Sequence, residues 1–171
     1  DFAPFSINAH ANAMHNPFAR LHQKLNMDQF EKSSMVATPI NLMDASPIGD
    51  GAAAVIIVPA EKVTSLGNRP RITVAGSAAA TDSIAVHSRK DPLFLSAAYA
   101  SSKRAYELAN VTPEDIDVFE LHDAFSIMSA LSLEACGFAE RGQGVRLGLD
   151  NEISPNGRMP ICTRGGLNAR G

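Results

Sequence analysis

The sequence has 171 residues, of which 45% are hydrophobic, with a formal net charge of -3 and two cysteines. That length can bury one core, or one and a half smaller units. Scattered charges of both signs leave no basic face for nucleic acid, and the longest apolar run, Ala52 to Val58, is too short to span a bilayer. Cys136 and Cys162 lack CxxC spacing, and Asp1-Phe2-Ala3-Pro4 is not a signal peptide, so a soluble protein of the reducing cytoplasm is expected. The five histidines form neither HExxH nor a Cys/His zinc pattern, and no metal is expected.

Residues 6–15 can form a helix, which Asn16-Pro17 should break. His10 and His15 lie five residues apart, off a common helical face, so both are read as structural. Residues 22–38 are polar and weakly patterned and suggest a loop excursion. Pro47, Gly49 and the Asp50-Gly51 step mark a tight turn, and Ala52–Val58 reads as a fully buried central strand. Ala60–Val63 reads as a short helix ending near Gly67, Asn68-Arg69-Pro70 as a linker, and Arg71–Ala78 as the next strand. After a polar connection over 79–92, the spacing predicts a helix from Ser96 to Leu108. Ala97, Ala98, Ser101, Ala105 and Leu108 form its inner stripe. Thr112-Pro113-Glu114-Asp115 is cap chemistry for a single turn.

The next stretch organises the chain. Ile116, Val118 and Leu121 suggest a strand that runs directly into a buried helix over 124–136, stopped by Gly137. His122 and Asp123 sit on that junction, where a strand end meets the positive end of a helix and an oxyanion is favoured. Locally, Asp123 reads as the N-cap of that helix and His122 as a loop histidine. After Gly137 the chain is polar and Gly-rich through Asn156-Gly157. Met159–Cys162 then reads as a short strand entering a glycine loop, Gly165-Gly166 to Gly171, where the chain looks cut.

Three stretches together resemble the thiolase superfamily: Asp50-Gly51-Ala52-Ala53-Ala54-Val55, His122-Asp123-Ala124-Phe125, and Gly165-Gly166 with Gly171. Asn8-Ala9-His10 through Asn16-Pro17-Phe18-Ala19 and the HDAF form are similar to the sterol-carrier-type and archaeal-type branch. The resemblance covers nearly the whole chain, and the combination is specific although each motif alone is weak. It implies the α/β, five-layered αβαβα thiolase fold. Residues 1–65 would be the end of its N-terminal half and 66–171 most of its C-terminal half, short of the GHP and CxG motifs. The nucleophilic cysteine of that family would lie upstream, and neither Cys136 nor Cys162 matches it.

The activity implied is acyl transfer between CoA thioesters, a Claisen condensation or its thiolytic reverse, with acyl-CoA and acetyl-CoA as substrates and no cofactor. By the same resemblance His122 stands where the family has the Asn of NEAF, and would donate to an oxyanion-hole water or to the thioester oxygen. Ala124 and Phe125 would border the pantetheine and acyl channel, Ser46 would contact the CoA arm, and Gly165 and Gly166 would allow close backbone approach. One departure is Cys162-Thr163-Arg164 before the glycines, which puts a cation by the loop. Either the substrate carries a charge there or standard activity is lost. The alternative is a non-catalytic CoA-ester-binding or scaffold subunit; a related Claisen enzyme is a third option. A homodimer or homotetramer is implied, and an OB-fold, zinc-ribbon partner protein is allowed. The chain alone is expected to be inactive.

Overall fold

The computed structural model describes residues 1–63 and 69–171. Helix α1 (Ala3–Ala13) begins with a proline in its first turn, where the missing N–H has no intrahelical partner to lose, and ends ahead of Asn16-Pro17 as expected. Most of its circumference is buried. It runs through the interior, packed along α6 (Gly166–Arg170) and touching α4 (Ser126–Ala135) and α5 (Gly144–Leu149). Ala9 and Ala13 meet Ala169 at the α1–α6 contact, so small side chains let the two backbones approach.

The stretch expected to be a loop holds a short helix, α2 (Met27–Glu31), and a small hairpin of β1 (Met35–Ala37) and β2 (Ile40–Asn41). A reciprocal Asn26–Gln29 cap starts α2, a signal too local for hydrophobic periodicity to reveal. Helix α3 (Ser96–Ala109) lies where the spacing puts it. Ala97, Ala98, Ser101 and Ala105 are half-buried, but Leu108 is exposed. Tyr106 takes the inner position instead, its hydroxyl donating to the Cys136 carbonyl at 3.0 Å. The Thr112 cap holds a single turn over Pro113–Asp115, and α4 ends at Gly137, whose φ of 86° a side chain would resist.

Helix α5 arises in the segment read as merely polar and Gly-rich. Gly144 works there as a contact residue: a Cβ would collide with the Ala130 carbonyl, so its absence lets α5 lie on α4. The main core gathers Phe5, Leu121, Leu133, Phe138, Leu147, Ile153, Met159 and Ile161 between α1, α4 and α5.

The expected strands are where the structure departs most from the sequence reading. Ala52–Val58 is neither buried nor in a ladder; Val55 is 83% and Ile56 93% exposed. Ala52, Ala53 and Ala54 are exposed as well. Arg71–Ala78 is likewise outside any ladder, with Ile72 85% exposed. Of the strands at 116–121 and 159–162, only a parallel bridge between Phe119 and Ile161 forms. The physical reason is pairing. An apolar β-branched run supplies one side of a ladder, and no described strand lies alongside to supply the other. A single turn spans Ala60–Lys62; its expected end near Gly67, with Asn68, lies outside the described residues.

Candidate functional site

The bridge between Phe119 and Ile161 sets two chain segments side by side. The Phe119 N–H donates to the Pro160 carbonyl at 2.9 Å, and the Cys162 N–H to the Phe119 carbonyl at 3.3 Å. One residue on, the Glu120 carboxylate accepts the Thr163 N–H at 2.7 Å and the Thr163 hydroxyl. From there the segments diverge: residues 121–125 cross towards Ser46 while 163–166 turn into α6. Leu121 is buried in the core, and His122 is exposed at the point of divergence. Its ring makes no hydrogen bond among the described residues.

Asp123 turns inward. Its carboxylate accepts the Leu167 N–H at 2.6 Å and the Asn168 N–H at 3.3 Å. It is thus the cap of α6, not of α4 as the local reading has it. Helix α4 starts at Phe125 without a side-chain cap. The correction has a plain cause. The first-turn amides of α6 sit behind the Gly165-Gly166 loop, where no side chain of that loop can serve them. Burial pushes the Asp123 carboxyl above its ordinary range, and the two N–H donors pull it partly back.

Gly165 has a φ of 100° and Gly166 of 53°. A Cβ on Gly165 would stand 2.8 Å from that of Ala13, and one on Gly166 would fall inside the Asp123 carboxylate. These two glycines are therefore required by close approach, from α1 on one side and Asp123 on the other.

On the far side of the motif, the Ser46 N–H donates to the Ala124 carbonyl at 2.9 Å, and Ala45 and Phe125 form an isolated antiparallel bridge. The Ser126 hydroxyl donates to the buried Asp44 carboxylate. Asp44 is itself locked by a reciprocal cap with Asn41. Ser46, Ala124 and Phe125 are thus brought together, Gly165 and Gly166 are joined to them through Asp123, and His122 sits on the open side.

Arg164 is exposed, and its guanidinium donates to the Asn16 side-chain oxygen at 3.2 Å with no carboxylate partner among the described residues. Neither cysteine offers a thiolate. Burial pushes the Cys162 thiol far up, and the Asp123 and Glu120 charges push it further; burial also raises Cys136. An open cavity of about 1030 Å³ lies by the far end of α6, walled by Phe18, Arg20, the 48–53 stretch, Arg170 and Gly171; His122 is not in its wall. Among the described residues no three His, Cys, Asp or Glu side chains gather as a metal site, and no helix is long and apolar enough to cross a membrane.

The sequence reading missed Asp44, Glu120 and a row of asparagines, Asn8, Asn12 and Asn16, whose side chains reach the 161–164 backbone. Their four-residue spacing was the available signal.

Comparison with known proteins points the same way. Residues 78–171 match the family described as Thiolase C-terminal domain-like. The chain is 41% identical over 169 residues to an acetyl-CoA acetyltransferase of Methanothermobacter thermautotrophicus, covering 99% of this chain and 44% of that protein. It is 30% identical over 168 residues to the benzoylsuccinyl-CoA thiolase subunit BbsB of Thauera aromatica, covering 98% of this chain and 43% of that protein. Among solved structures, the Ltp2-ChsH2(DUF35) aldolase superposes with a TM-score of 0.92 at 22% identity, over 99% of this chain and 45% of that one. That likeness shows a shared α/β fold, which the family match at 78–171 makes thiolase-like. The chain spans less than half the length of these relatives.

Proposed function

The chain belongs to the thiolase C-terminal domain-like family, and on that premise we propose that the longer protein carrying it is a thiolase-type acyl-CoA acyltransferase. One observation carries this reading: the His122–Phe125 segment is clasped between Ser46 and the Gly165-Gly166 loop, leaving the His122 ring exposed at their junction. In the condensing direction the α-carbon of acetyl-CoA attacks an acyl-cysteine thioester. A base takes a proton from that α-carbon, a carbon–carbon bond forms, and the cysteine leaves as a thiolate that the proton can neutralise. In reverse the cysteine thiolate attacks the 3-oxo carbon, acetyl-CoA leaves with a proton on its α-carbon, and the CoA thiol then takes the acyl group from the cysteine. Negative charge collects on the thioester oxygen, and an exposed imidazole N–H at this junction is a suitable donor, directly or through water. With Cys136 and Cys162 buried and held as neutral thiols, the nucleophile comes from outside residues 1–171. Ser46, Ala124 and Phe125 would line the thioester arm.

A second reading, a CoA-ester-binding subunit without catalysis, is favoured by Arg164, a cation at the glycine loop with no carboxylate partner among the described residues. Under either reading the assembly is a homodimer or homotetramer, with or without a distinct partner protein.

The test is thiolysis of acetoacetyl-CoA by the longer protein, followed at the thioester absorbance, alongside calorimetric titration with acetyl-CoA. Turnover supports the acyltransferase. Binding without turnover supports the subunit, and neither binding nor turnover sinks both.

A further inference from the structure

Asn8, Asn12 and Asn16 stand four residues apart, which carries three primary amides along one face of α1 and just past its end. All three are buried. The Asn8 amide donates to the Ile161 carbonyl at 3.2 Å. That of Asn12 donates to Ile161 at 3.2 Å and to Cys162 at 3.1 Å. That of Asn16 donates to Arg164 at 2.9 Å, while its oxygen accepts the Phe18 N–H at 3.1 Å and the Arg164 guanidinium at 3.2 Å. Every amide nitrogen faces a carbonyl, so only one orientation of each side chain satisfies its neighbours.

The backbone they hold is unusual. Cys162 has a φ of 48°, a left-handed conformation that a residue with a side chain adopts only when its surroundings enforce it. Its carbonyl also accepts the Gly165 N–H at 2.8 Å. Asn12 therefore grips the turn where the glycine loop begins, and Asn16 grips it two residues later. Buried amides are costly unless bonded, and hydrophobic packing alone needs none of them here.

We propose that Asn12 and Asn16 are positioning residues of the acyl-transfer site. They hold the Cys162–Arg164 turn in the form that sets Gly165-Gly166 against Asp123, and through Asp123 they fix the backbone that presents His122. The inference rests on the acyltransferase reading for its kinetics and on geometry alone for its dynamics.

The experiment compares Asn12→Ser and Asn16→Ala with Tyr106→Phe in the longer protein. Tyr106→Phe also removes one hydrogen bond to a backbone carbonyl, that of Cys136 outside the loop. Thiolysis kinetics are read together with site-resolved amide hydrogen exchange over 161–171. The expected result is a fall in kcat of about 10²-fold for Asn12→Ser at a KM within about threefold. Exchange at Gly165 should quicken about tenfold or more, with neither change in Tyr106→Phe. A kcat within about twofold of wild type in both asparagine variants overturns the proposal, as does unaltered exchange at Gly165. If the wild type itself shows no turnover, the acyltransferase reading falls separately, and the exchange result alone decides whether the asparagines hold the loop.

Discussion

The Asp123 carboxylate accepts the Leu167 N–H at 2.6 Å across 44 residues of sequence, and so joins the HDAF segment to the glycine loop. Gly166→Ala would drive a methyl group into that carboxylate and also strain a positive φ, whereas Gly142, at a φ of 79°, has open space around it. Gly142→Ala should cost only the conformational strain, about 1 kcal/mol. Gly166→Ala should cost about 2 kcal/mol more than that, as overpacking adds to strain. Urea unfolding of the two variants checks the difference; equal losses would mean that Asp123 yields to the methyl group.

His122 is exposed and makes no hydrogen bond among the described residues, so its removal should leave the fold intact. Under the acyltransferase reading, His122→Ala should lower kcat by roughly 10²-fold, the scale of one oxyanion-hole donor, with an unchanged melting temperature. Wild-type turnover in this variant would take His122 out of the mechanism.

Leu133 is fully enclosed at the centre of the main core. Leu133→Ala should therefore cost about 2–5 kcal/mol, the spread reflecting how far the cavity collapses. Chemical denaturation gives the number directly, and a loss near zero would place the core elsewhere.

Two buried thiols and the half-buried Tyr106 share one sign of pH dependence. Burial raises the Cys136 and Cys162 thiols above their ordinary 9.0, and raises Tyr106 to about 12. As pH rises through 9.0 the unfolded chain sheds thiol protons that the folded chain keeps, so folding stability falls. The stabilisation is fully present below pH 9.0 and is lost progressively above it. Unfolding midpoints at pH 8 and pH 10 test this, with Cys162→Ala expected to flatten the decline; a slope that survives the substitution would assign it to other groups.

Elements bounded by local signals were legible in the sequence. The turn at Pro113–Asp115 carries its own cap, and helix α4 its own stop at Gly137 and its apolar spacing, each within a dozen residues. Helix α5 was hidden because Gly144 and Gly148 look like breakers when read alone, yet serve as contact points against Ala130 and Phe5. Ala52–Val58 shows the limit of periodicity: its composition specifies a willingness to pair, and pairing belongs to two segments at once. Asp123 was misassigned for a similar reason. A window around residue 123 contains α4 but cannot contain α6, and only the fold reveals which helix needs the acceptor. Ser46, Ala124 and Phe125 were grouped by family resemblance, and the 2.9 Å bond from Ser46 to Ala124 supplies the geometric basis for treating them as neighbours.

The asparagine row also bears on how the chain is made. Asn12 is separated from its Cys162 acceptor by 150 residues, so during synthesis α1 emerges long before anything exists for its amides to hold. At about 5–20 residues per second, roughly eight to thirty seconds pass before residues 161–164 are available. Until then a helix with polar groups destined for burial must stay open to water, and the glycine loop cannot take its final form. Residues 161–164 therefore complete a helix made about 150 residues earlier, and an arrest before residue 164 would leave both α1 and the glycine loop unfinished.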